Sequence, residues 1–170
     1  MSPRKPRRKG GTLRDGERRQ LALASRRAAE QEDRPAAPGP AARERVLCDG
    51  GSRGNPGPAA IAAVLLDRAG EVVEQRAVPI GHATAATAEY RALLLGLELA
   101  AAHGVDALDV CSDSQLAIAG VRGSGPAEPD LATLAALVRA AADQFAEVGW
   151  RWHPRTENRI ADDLVRELLW

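Results

Sequence analysis

Aromatic residues are nearly missing from this chain: one Tyr, one Phe and three Trp stand among 170 residues. None occurs before Tyr90, so the N-terminal stretch has no platform on which a nucleobase could stack. Ala, Leu and Val must therefore fill the interior. Cysteine is almost absent too. Cys48 and Cys111 give neither a disulfide framework nor a zinc-ligand spacing. The default reading is a reducing cytoplasm. No apolar run approaches the ~20 residues that cross a bilayer, so no membrane association is expected. Leu21-Ala22-Leu23-Ala24 is too short for the apolar core of a signal peptide. Net charge is also lacking, but the zero conceals a split. Residues 1–45 carry 13 Lys/Arg against 6 Asp/Glu, and the remainder 10 against 17. That asymmetry reads as a basic tail on an acidic domain.

Residues 1–44 read as the tail. Arg4-Lys5-Pro6-Arg7-Arg8-Lys9 is a basic cluster with no apolar partner. Residues 12–31 favour a polar helix with a thin apolar face, marginal on its own. Pro35-Ala36-Ala37-Pro38-Gly39-Pro40 is a linker. Such a tail is either a solvated extension or an electrostatic arm for nucleic acid.

Residues 45–170 read as one α/β domain. Strands are expected at 46–49, 59–66 and 71–78, the last two joined by the turn Asp67-Arg68-Ala69-Gly70. A helix over 87–103 has Leu93, Leu97 and Ala100 at helical spacing, with Gly104 placed as its C-cap. A strand at 107–111 and helices at 114–121 and 130–145 follow. A strand at 147–152 and a helix at 160–169, with Asn158 as N-cap, complete the order βββαβααβα. Three hairpin-linked strands followed by alternating strands and helices predict a five-stranded mixed sheet flanked by helices.

The carboxylates fall at the ends of these elements. Asp49 closes the first strand and precedes Gly50-Gly51-Ser52-Arg53-Gly54-Asn55-Pro56-Gly57-Pro58. Glu89 opens the first long helix, Asp113 follows the fourth strand, and Asp162 and Asp163 open the last helix. Glu89, Asp162 and Asp163 also suit a helix dipole, and Asp113 a cap. Asp49 is hardest to account for in that way, because an acid ending a core strand is costly unless something positive meets it. Carboxylates gathered together repel one another, and divalent cations with a preference for oxygen ligands relieve that. Two such ions can promote phosphodiester cleavage.

Four motifs occur in order: Asp49-Gly50-Gly51-Ser52-Arg53-Gly54-Asn55-Pro56-Gly57-Pro58, Thr84-Ala85-Ala86-Thr87-Ala88-Glu89-Tyr90-Arg91-Ala92-Leu93, Ser112-Asp113-Ser114-Gln115-Leu116 and Asn158-Arg159-Ile160-Ala161-Asp162-Asp163-Leu164. Together they closely resemble type 1 ribonuclease H over residues 46–170. The resemblance implies a ribonuclease H-like fold and endonucleolytic cleavage of the RNA strand of RNA–DNA hybrids. It implies two Mg²⁺ ions, or Mn²⁺, held by Asp49, Glu89, Asp113 and Asp162, with Asp49 shared between them. Asp163 is then the neighbour that complements the helix. The backbone at Gly50, Gly51 and Ser52 is suited to 2′-hydroxyl contacts. Asn55 and Thr84 would hold the DNA phosphate and Gln115 would face the RNA, unless each is simply a turn residue or a cap.

The chain departs from the family pattern in three places. Ala85 and Ala86 stand where many members carry Asn–Asn. Residues 123–129 replace the basic protrusion of some members, as in a shorter, archaeal-like branch. The histidine loop is shortened, leaving His153 either as an aid to product release or as a strand terminus. A monomer is expected. The alternatives are a non-catalytic nucleic-acid-binding module of this fold and a related nuclease of different specificity. By strand alternation Cys111 shares a face with Asp113 and Cys48 points away, which argues against a disulfide between them and for buried structural thiols.

Overall fold

A computed structural model describes residues 42–123 and 125–170. The basic cluster, the polar helix and the proline-rich linker expected in the tail lie outside these residues. Strands β1 (Glu44–Ser52), β2 (Gly57–Leu66) and β3 (Val72–Ala83) form an antiparallel meander. Strands β4 (Ala107–Ser112) and β5 (Glu147–Trp152) add in parallel beyond β1, giving the order β3-β2-β1-β4-β5. The helices are α1 (Ala85–Ala102), α2 (Gln115–Arg122), α3 (Pro129–Ala142) and α4 (Arg159–Leu169). The five-stranded mixed sheet and the order βββαβααβα are as expected.

The sequence explains why β2 lies near the middle. Its run Ala59-Ala60-Ile61-Ala62-Ala63-Val64-Leu65-Leu66 has no polar face, and every one of these residues is buried. Ile61, Ala63 and Leu65 join Val46, Cys48, Leu93 and Leu97 on one side of the sheet. Ala60, Ala62 and Val64 join Leu47, Cys111, Val165 and Leu169 on the other. Fully burying a Leu or Val contributes about 1.5–3 kcal/mol, so two small cores compensate for scarce aromatics. The two cysteines fall on opposite faces, and both are free.

Two expected strand ends need correction. Strand β1 does not stop at Asp49. Residues 50–52 pair with Ile61, Ala60 and Ala59, so the glycine segment is strand rather than loop. The apolar β2 run extends the ladder beyond the point where β1 itself stops being apolar. Strand β4, by contrast, ends opposite Cys48. Past that rung, the same edge of β1 has no strand partner among the described residues. Strand β3 also runs further than expected, to Ala83, because β2 offers pairing back to Gly57.

Helix α1 starts at Ala85, earlier than expected, because the Thr84 hydroxyl accepts the Thr87 N–H at 3.1 Å. Its approach to β1 depends on two glycines. A Cβ on Gly96 would lie 2.5 Å from Cys48 Sγ, and one on Gly50 would lie 2.6 Å from the Glu89 backbone nitrogen. Asn158 occupies the N-cap position of α4, but its side chain does not cap. Its Nδ2 instead donates to the Cys48 carbonyl at 2.8 Å, fully buried.

Candidate active site

Asp49 lies one rung past the last β1–β4 pair, where β1 emerges from the parallel part of the sheet. Glu89 sits one turn into α1, brought close by the Gly50 contact. Asp113 occupies the turn between β4 and α2. One carboxylate oxygen from each lies within 4.8 Å of the other two. The fourth acid, Asp162, is buried on the first turn of α4, whereas its neighbour Asp163 is exposed. Asp162 lines the same cleft as the other three but pairs with arginines. Arg155 donates to its Oδ1 through Nε at 3.1 Å and also through Nη2, and Arg166 Nε lies 3.6 Å from its Oδ2.

These environments make Glu89 and Asp49 reluctant to ionise. Burial, then the charges of Asp49 and Asp113, push the Glu89 carboxyl up to about 9, against a smaller pull from the Gly50 N–H. Burial and the charges of Asp113 and Asp162 also raise Asp49 well above the carboxylate range, with Arg155 partly opposing. Glu89 Oε2 is buried with no hydrogen-bond partner among the described residues. Three close carboxylates and an orphaned oxygen fit a divalent cation, which would satisfy the oxygen and cancel the repulsion.

The cleft measures about 630 Å³ and is lined by Gly50, Gly51, Ser52, Ala85, Arg155, Val165, Arg166 and Trp170 besides the four acids. Ser52 Oγ is buried there without a partner among the described residues. Asn55 and Thr84 meet at the start of α1. Asn55 Oδ1 accepts the Ala85 N–H at 3.1 Å, and Thr84 caps the helix. Gln115 opens α2 and is exposed. His153 is not among the cleft-lining residues. Its Nδ1 lies 3.8 Å from Glu157 Oε2, and its backbone N–H donates to the Ser112 carbonyl. Ala85 and Ala86 wall an adjoining groove of about 680 Å³ with Leu116 and Pro126.

Residues 47–168 match the family described as Reverse transcriptase-like. This chain belongs to the ribonuclease H1-like family. Bifunctional protein Rv2228c of Mycobacterium tuberculosis is 39% identical over 127 residues, covering 73% of this chain and 35% of that protein. The chain therefore spans about a third of the length of that curated relative. The crystal structure of RNase H1 from Halobacterium salinarum NRC-1 is 38% identical. The match covers 74% of this chain and 96% of that one, with a TM-score of 0.72. LC11-RNase H1, solved in complex with an RNA/DNA hybrid, is 33% identical over 74% of this chain and 95% of its own, with a TM-score of 0.69. The fold is thus ribonuclease H-like. Among the described residues, no helix is long and apolar enough to cross a membrane.

Sequence reasoning missed the cationic side of the cleft. Arg166 follows Asp162 by four residues, a helical ion-pair spacing that could have been read. Arg155 gave no signal, being one arginine among many in a segment with no regular periodicity. Asn158 was assigned to capping, and only the fold brings it against β1.

Proposed function

We propose that this chain hydrolyses the RNA strand of RNA–DNA hybrids endonucleolytically, using two divalent cations, Mg²⁺ or Mn²⁺. The observation that carries this reading is the convergence of Asp49, Glu89 and Asp113, with one carboxylate oxygen of each within 4.8 Å of the other two. These three acids would hold metal, with Asp49 shared. Asp162 would join as the fourth ligand in exchange for its arginine contacts. When bound, divalent cations stabilise the charge on nucleophile and leaving group in phosphodiester hydrolysis.

The chain's own groups would orient the hybrid. The open edge of β1 at Gly50 and Gly51, with the unpartnered Ser52 hydroxyl, supports recognition of RNA 2′-hydroxyls. Asn55 and Thr84 share one spot at the α1 N-terminus, which supports a site for the DNA phosphate. Gln115, exposed beside Asp113, would face the RNA. Arg155 and Arg166 add positive charge to a cleft that must receive a polyanion. His153 stands outside the cleft lining and would act, if at all, during product release. Two free, buried thiols fit a reducing cytoplasm. Residues 45–170 would form a monomeric catalytic domain, with residues 1–44 as its basic tail.

A labelled RNA–DNA hybrid, incubated with the full chain in Mg²⁺ or Mn²⁺ beside matching double-stranded RNA, double-stranded DNA and single strands, tests this reading. The hybrid should be cut fastest, and only its RNA strand. An uncut hybrid in both metals defeats the proposal.

A further inference from the structure

The three clustered acids are not held in the same way. Asp49 lies inside β1, paired with Ala62, and Glu89 lies inside α1. Asp113 belongs to neither β4 nor α2. The residues on either side of it are well anchored. Ser112 Oγ accepts the Ser114 N–H at 3.0 Å, the Ser112 carbonyl accepts the His153 N–H at 2.9 Å, and Ser114 Oγ caps α2 through the Ala117 N–H at 3.2 Å. The carbonyl of Asp113 has a donor from elsewhere: Trp152 Nε1, at 3.1 Å. Trp152 is the last residue of β5, directly opposite Ser112 in the β4–β5 register. Trp152 is 44% exposed, so burial gives little reason for an indole at this place. What the position requires is a rigid donor that reaches one residue past the end of the ladder.

We propose that Trp152 is a positioning residue for the metal site, its indole N–H fixing the Asp113 peptide and thereby aiming the Asp113 carboxylate at Asp49 and Glu89. The inference rests on the metal-binding reading of Asp113 given above. It assigns Trp152 no contact with substrate. Loss of the N–H frees one peptide in a turn and leaves ring packing largely intact. Its effect therefore falls on metal affinity, with hybrid affinity unchanged.

Trp152→Phe, which keeps the ring and removes the donor, tests this in the full chain. Mn²⁺ binding is measured by calorimetry, with thermal unfolding as the folding control. The account expects a folded variant whose Mn²⁺ Kd is about 3–10-fold weaker, the range of one ordinary hydrogen bond. The KM for hybrid at saturating metal should not change. An unchanged Mn²⁺ Kd overturns the proposal. So does a raised KM for hybrid with metal affinity intact, because Trp152 would then be a substrate contact. A second measurement is independent of the variant's folding. In the wild-type protein the Trp152 indole proton should exchange with solvent more slowly than that of Trp170, which is 75% exposed. Equal exchange rates overturn the hydrogen bond itself. If the wild type binds no Mn²⁺, the metal reading fails. If it binds and Trp152→Phe binds equally well, only the role of Trp152 fails.

Discussion

Glu89→Gln should make the metal-free protein more stable while removing its response to metal. The carboxyl of Glu89 is raised from 4.5 to about 9 by burial and by its acidic neighbours. In that interval the folded chain retains a proton that the unfolded chain releases, so stability falls as pH rises. At pH 7 the unfolded chain has been ionised for roughly 2.5 pH units, a ceiling of about 3 kcal/mol. Residual solvent access to this partly buried side chain lowers the net effect to about 1–3 kcal/mol. Glutamine has the shape of the protonated acid and does not titrate. Urea unfolding in EDTA should therefore show Glu89→Gln more stable than wild type by about 1–3 kcal/mol at pH 7 and equal to it near pH 4. Adding Mg²⁺ should raise the wild-type midpoint through preferential binding to the folded state and raise that of Glu89→Gln much less. A variant no more stable at pH 7, or one with the same gain at pH 4, would refute the electrostatic reasoning.

Gly50→Ala should abolish hybrid cleavage, because its Cβ would lie 2.6 Å from the Glu89 nitrogen and force α1 off β1 between two of the clustered acids, Asp49 and Glu89. Gly51→Ala should be far milder, since its Cβ would meet only side-chain atoms, Val165 Cγ1 at 3.2 Å and Leu169 Cδ1 at 3.8 Å. Comparing kcat for the two checks this. Asn158→Ala removes a buried side-chain bond to the Cys48 carbonyl and should cost about 1–3 kcal/mol in denaturant unfolding. Deleting residues 1–41 should weaken hybrid binding and flatten its dependence on log salt concentration, as expected when lysines and arginines leave a phosphate interface. An unchanged slope in a salt titration would make the tail a bystander.

The parts of this fold that local pattern dictates were legible in the sequence. The alternation of turns and apolar runs located all five strands, and Leu93, Leu97 and Ala100 marked the buried face of α1. The ends of β1 and β3 were not legible, because the partner strand decides them: β2 is apolar and unbroken, so it carries its neighbours past their own apolar segments. The four acids stood out because each combined an element end with a motif. Their unequal states did not. That Asp162 pairs with two arginines while Glu89 has no ion pair among the described residues depends on where Arg155 lands after the β5–α4 connection folds, and one arginine in such a segment gives no periodic signal. Asn158 illustrates the same limit. Its side chain satisfies a partner 110 residues away in preference to the local amide.

Central to the account is that the acids converge to hold a metal that cuts one strand of a bound hybrid. Asp49→Asn tests this most directly, with strand-labelled hybrid, Mg²⁺, and binding and cleavage measured on the same sample. The account predicts that the variant still binds the hybrid, and that only the wild type shortens the RNA, leaving the DNA intact and stopping in EDTA. Cleavage by Asp49→Asn at the wild-type rate, or RNA cleavage by the wild type in EDTA, would contradict it.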